Sequence, residues 1–69
     1  MKLSARNVLK GKVVKVTQGA VNSEIVLEVA PGLQVVSIIT RQSAETLGLV
    51  EGSEAYAVVK ASNVMIAVD

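Results

Sequence analysis

The chain has 69 residues, room for a single domain over 1–69, and 7 basic against 6 acidic side chains leave a net charge of +1, too balanced for a general polyanion binder. It contains no Cys and no His, which excludes disulfides, zinc sites, haem attachment, His-based acid–base catalysis and Cys nucleophiles. Apolar residues reach 51% with Tyr56 the sole aromatic, which argues against disorder; a core of this size supplies no more than about 3–5 kcal/mol, so association with further copies is the expected source of additional stability.

The start, Met1 to Asn7, resembles the charged tip of a signal peptide, but Lys10, Lys12 and Lys15 break the stretch where an apolar region would follow. No apolar run approaches the ~18–20 residues of a membrane span. A soluble protein of the cytoplasm is expected, without membrane contact. Residues 8–18, rich in Val, read as a first strand. Gly11 interrupts it and marks a bulge or a close backbone approach. Gly19 to Asn22 is a turn. Residues 23–30 read as a second strand with Ile25, Leu27 and Val29 on one face. Ala30-Pro31-Gly32 is a turn, with Pro fixing φ and Gly following it. Residues 33–39 form a third strand. The period then changes: residues 41–47 are helix formers, with Thr40 as N-cap and Gly48 just past the end. Residues 54–60 and 64–68 read as a fourth and a fifth strand, joined tightly through Ala61-Ser62-Asn63.

The fold class expected is all-β with one short helix. Five strands with a helix between the third and fourth is the element order of an OB-like small barrel, with SH3-like barrels as the alternative. Several strands are apolar on both faces: Val35, Val36, Ile38 and Ile39, then Val58 with Val59, and Met65 with Ile66. A strand apolar on both sides needs cover on both sides, and 69 residues hold too little chain to provide it. A second subunit is the expected cover.

The carboxylates form no recognisable acid–base pair or metal loop; Glu24 and Glu28 share a strand face that reads as solvated. Serines without His or a Ser/Lys motif give no activated nucleophile. An enzyme is not expected, nor a directly bound metal cation. OB folds hold single strands by stacking bases on aromatic rings, and this chain has one ring. Lys10, Lys12 and Lys15 read as a solvated strand face or as protection of a sheet edge, so nucleic acid is not an expected partner.

What remains are donors without matching acids. Ser4-Ala5-Arg6-Asn7 offers a hydroxyl, a guanidinium and an amide. Thr40 and Ser43 stand at the helix start, where free N–H groups favour an anion. Lys60-Ala61-Ser62 combines an ammonium, a hydroxyl and turn N–H groups of the kind that form an anion-binding concavity. Each set alone also has a plain structural use, as a strand cap, a helix cap or a solvated strand end.

The sequence resembles the molbindins, small molybdate-binding proteins made of one Mop (TOBE-type) domain. The carriers are Ser4-Ala5-Arg6-Asn7 with Leu9-Lys10-Gly11-Lys12-Val13-Val14, then Val36-Ser37-Ile38-Ile39-Thr40 before Ser43 and Leu47-Gly48, then Glu51-Gly52 and the ending Val58 to Ile66. The resemblance implies an OB-like barrel, strand exchange between partners and a hexamer built as a trimer of dimers. It implies molybdate or tungstate as ligand, with no cofactor, held at subunit interfaces for storage. Ser4, Ala5, Arg6, Lys60, Ala61 and Ser62 match the ligand-binding segments. Thr40 and Ser43 match a segment expected to face the same ligand from a neighbouring chain, and Val21 and Asn22 match a turn that contributes to a second kind of site. Ala61 stands where the family often has Ser, which removes a side-chain contact and leaves the backbone N–H. The alternative is a ligand-sensing or structural interaction module like the TOBE domains of transporter ATPases and regulators; the chain's own Met1 and lack of a linker favour the stand-alone binder.

Overall fold

A computed structural model describes residues 1–69. Four antiparallel strands form one sheet: β1 (Asn7–Gln18), β2 (Asn22–Ala30), β3 (Leu33–Thr40) and β4 (Glu54–Val59), with a helix α1 (Arg41–Thr46) between β3 and β4. The spatial order is β3-β2-β1-β4. The sheet curls into a half-barrel whose concave side carries Val13, Ile25 and Leu27, with Ala44 of α1 plugging one end. No helix is long and apolar enough to cross a membrane.

The curl has two local causes in β1. Val13 pairs with Leu27 and Lys15 with Val26, so Val14 is an extra residue on the β1 side. Such a bulge increases local twist and resets the alternation of faces. Val13 and Val16, three residues apart, consequently both pack toward the core. Gly11 is the site of close approach: a Cβ there would stand 2.7 Å from the Glu28 carbonyl oxygen and 3.0 Å from Val29 Cγ1. The bulge therefore falls at Val14, while Gly11 lets β2 cross close to β1. Gly11→Ala is expected to destabilise the fold by about 1–3 kcal/mol, because a backbone carbonyl cannot step aside as a flexible side chain could. A denaturation midpoint equal to that of the unaltered chain would contradict this.

The β2–β3 connection is the expected Pro31-Gly32 turn. Thr40 caps α1 as expected, its Oγ1 accepting from the Ser43 N–H at 3.0 Å. Gly48 lies just past the helix with φ 65°. Its N–H reaches Glu45 O at 3.0 Å and the Leu49 N–H reaches Ala44 O at 3.1 Å, which satisfies carbonyls that the helix end leaves open.

Ser23, on the concave side of β2, is 1% exposed and its hydroxyl has no partner. A buried hydroxyl left unpaired carries its desolvation penalty without return. Ser23→Ala is expected to be neutral or to stabilise by up to about 1 kcal/mol in urea unfolding; a clear loss of stability would show that the hydroxyl is engaged in the native assembly.

The fifth strand expected over residues 64–68 is absent from the sheet. After β4, Ala61–Asn63 form one turn of 3₁₀ helix, closed by Asn63 N–H to Lys60 O at 2.9 Å and Val64 N–H to Ala61 O at 3.2 Å. That turn leads the chain away from β4 instead of folding it back as a hairpin. The tail residues Met65, Ile66 and Val68 are 93%, 86% and 92% exposed. Ile66 and Val68 are branched and suit a strand, but a strand exists only where another edge pairs with it, and the 3₁₀ turn carries the tail away from this chain's own open edges.

Without a fifth strand the barrel stays open between the outer edges of β3 and β4. The gap is a cleft of about 490 Å³, floored by Ile25 and Leu27 and walled by Val35 and Ser37 on one side and Ala55 and Ala57 on the other. On the convex side Val36 and Ile38 remain exposed. The chain exposes 5497 Å², whereas a compact monomer of this size exposes about 4,100 Å².

Candidate functional site

The antiparallel pairing of β1 with β4 decides what meets at one end of the sheet. Asn7, the first residue of β1, pairs with Val59, the last of β4, and its side-chain Nδ2 donates to Val59 O at 3.3 Å. Residues just before β1 must then lie beside residues just after β4. Ser4, Ala5 and Arg6 accordingly share an open cavity of about 630 Å³ with Lys60, Ala61 and Ser62. Segments more than fifty residues apart in sequence thus become one surface.

The chemistry of that cavity is one-sided. No carboxylate lines it. The ion pairs of the chain are Lys10–Glu54 at 3.5 Å and Arg41–Glu45 at 3.1 Å, so neither Arg6 nor Lys60 is paired. None of the side-chain hydrogen bonds within the chain draws on Ser4, Arg6, Lys60 or Ser62. Lys60 N-caps the 3₁₀ turn without a side-chain cap bond, and the turn's own bonds use the N–H groups of Asn63 and Val64. The N–H groups of Ala61 and Ser62 therefore stand at its open end, where backbone donors lack helical partners. Two cations, two hydroxyls and turn amides converge with no carboxylate among them. Such a set fits a ligand that only accepts hydrogen bonds and carries negative charge.

Thr40, Ser43, Val21 and Asn22 lie elsewhere. Asn22 pairs with Thr40 across β2 and β3, and the Arg41 N–H donates to Val21 O at 2.8 Å. These four residues form a single cluster, at the far end of β1 from the cavity. The 12 residues of β1 put on the order of 30 Å between the two places. Within one chain, Thr40 and Ser43 cannot reach a ligand held by Arg6 and Lys60. Their donors are also partly spent: the Thr40 hydroxyl donates to Ser43 Oγ at 2.7 Å, and the N–H groups of Arg41 and Ser43 are taken.

One lining residue of the cavity was not a sequence candidate. Val58 forms part of its wall. The signal was present in the spacing, since Val58 lies two residues before Lys60 and a strand repeats its face every second residue. No group of three or more acidic, His or Cys side chains able to hold a metal ion comes together in the chain.

Comparison with known proteins identifies the family. The TOBE domain family matches residues 3–66. Molybdenum-pterin-binding protein 3 of Clostridium pasteurianum is 56% identical over 66 residues, 96% of this chain and 97% of that one. MopII from Clostridium pasteurianum superposes with a TM-score of 0.92 at 52% identity, covering 97% of this chain and 100% of the other. The cytoplasmic molybdate-binding protein ModG, in its molybdate-bound form, superposes with a TM-score of 0.90 at 45% identity, covering 94% of this chain and 46% of the ModG chain. The half-barrel and these similarities together place the chain in the TOBE-domain family, among the Mop proteins or molbindins.

Proposed function

We propose that this chain is a non-enzymatic binder of molybdate, and of tungstate as its near-equivalent in size and charge, that stores or buffers the oxyanion in the cytoplasm. The carboxylate-free cavity where Arg6, Lys60, Ser4 and Ser62 converge is the observation that carries this reading. Molybdate is a tetrahedral dianion with acceptors only. Micromolar affinity corresponds to about 8 kcal/mol, and hydrogen bonds to a charged group contribute about 1.5–3 kcal/mol each. After association costs of several kcal/mol, about seven donors are needed. The donors of one chain's cavity come only from the Ser4–Arg6 and Lys60–Ser62 segments, and the Ser43 hydroxyl on the Thr40–Ser43 segment of a neighbouring copy adds a contact from a further direction. Val21 and Asn22, adjacent to Thr40, add backbone donors there or at a second kind of site.

Assembly follows from the same economy of donors and apolar surface. The open cleft and the unpaired tail are complementary: residues 64–68 of one copy fill the cleft of another as its fifth strand, and three such dimers make a hexamer. Calorimetric titration of the pure protein tests the function. Heat and thermal stabilisation with molybdate and tungstate are expected, with sulfate binding more weakly. No heat and no stabilisation with either metal oxyanion would reject the reading, and equal competition by sulfate would reject its selectivity.

The runner-up is a sensing or structural interaction module, because the chain spans under half of the ModG chain and the domain thus also occurs as part of a longer protein. A partner protein recovered by pull-down, together with no oxyanion binding, would favour it.

A further inference from the structure

The residues lining the donor cavity are Ser4, Arg6, Lys60 and Ser62, two alanines, and Val58. Val58 is the one large apolar side chain among them. Its place is dictated by register. In β4, Ala55 and Ala57 pack toward the core, so Glu54, Tyr56 and Val58 take the opposite face. Lys60 continues in an extended conformation, φ −61° and ψ 129°, and so keeps the face of Val58. The same alternation sets Glu54 back by four residues, about 13 Å along the strand, with Tyr56 and Val58 between its carboxylate and the cavity.

We infer that Val58 is a specificity-determining residue of the oxyanion cavity, a dry wall that favours a large tetrahedral dianion over sulfate. This role rests on the function proposed above. The donors on Ser4–Arg6 and Lys60–Ser62 can replace water around an anion, but an isopropyl group cannot. Oxygens turned toward Val58 lose their hydration without compensation. Sulfate has shorter bonds and a denser charge, holds its water more tightly and loses more at that wall. Molybdate and tungstate spread the same charge over a larger volume and touch the wall and the donors together. Donors alone would grip sulfate as well; the apolar side supplies the difference, and selectivity is a difference of affinities.

The test uses the full chain with Val58→Thr, which keeps the shape and adds a hydroxyl, and Val58→Ile, which keeps the wall apolar. Molybdate and sulfate affinities are measured by calorimetry, and assembly size by light scattering, because Val58 also borders the cleft. V58T is expected to cut the preference for molybdate over sulfate by about tenfold with the assembly unchanged, while V58I retains the preference. Val58→Ala, which lets water reach that side without adding a hydroxyl, is expected to reduce the preference too and serves if V58T assembles poorly. An unchanged preference in V58T or V58A, or an equal loss in V58I, would overturn the role of Val58 alone. Absence of molybdate binding by the unaltered chain would overturn the proposed function along with it.

Discussion

Arg6→Ala and Lys60→Ala are each expected to weaken molybdate binding by about 10- to 100-fold while leaving the assembled protein at the same size and nearly the same melting temperature. The expectation follows from what the two cations do not do. Neither pairs with a carboxylate, neither donates a side-chain hydrogen bond within the chain, and both line an open cavity. Removing either therefore costs the fold little. The loss falls on the bound dianion, which gives up one charge-assisted contact, stronger than a neutral one. Arg6→Lys is the informative companion. It keeps the charge but loses the planar fork that can meet two oxygens at once, so its affinity should fall between those of the unaltered chain and R6A. Calorimetry at fixed ionic strength reads all three. Normal affinity in both alanine variants would show that the oxyanion sits elsewhere, with the Thr40–Ser43 cluster the next place to look.

The first four strands and the helix were legible because each has a local cause. Branched residues with period two, the Pro31-Gly32 turn, the Thr40 cap and Gly48 past the helix end all act within a few residues, and the observed elements begin and end within about one residue of the expected places. The close approach at Gly11 was legible for the same reason. The bulge at Val14 was not, because an extra residue is defined only against the partner strand, and nothing in Val13-Val14-Lys15 announces which of them lacks a partner.

The cavity divides in the same way. Each donor segment could be picked out by composition, but their meeting depends on the pairing of Asn7 with Val59, a contact between residues far apart in the chain. Val58 looked like one more strand valine until that pairing placed it between the donors. The family resemblance assigned Thr40–Ser43 and Val21–Asn22 to different sites; that they are neighbours in the fold depends on the pairing of Asn22 with Thr40 across β2 and β3. Residues 64–68 are the clearest case. Their strand propensity is real, but the edge that would realise it does not belong to the same arrangement of this chain.

Deleting residues 64–69 is expected to dissolve the oligomer and to leave single chains that are barely folded. The magnitudes decide this. In an extended tail Val64, Ile66 and Val68 share one face, and burying each in a partner's cleft contributes about 1.5–3 kcal/mol. Together that is about 4.5–9 kcal/mol as an upper estimate. The core of one chain, with Val13, Ile25, Val26, Leu27 and Ala44 as its buried apolar residues, belongs to a size class that supplies about 3–5 kcal/mol. On the proposed exchange, the tail's contribution is at least comparable to that of the domain's own core. Its loss also reopens a cleft of about 490 Å³ between unpaired edges of β3 and β4, a state prone to non-specific edge pairing. Molybdate binding should disappear with the tail although every cavity residue remains, because the donors of a second chain are no longer delivered. Ile66→Lys should act in the same direction with a smaller effect, since it places one charge in the cleft and leaves the backbone pairing available. Light scattering and thermal unfolding read the outcome. A truncated chain that kept its mass in solution and its melting temperature would show that the copies are held through another surface, with the exposed Val36 and Ile38 of β3 the next place to test.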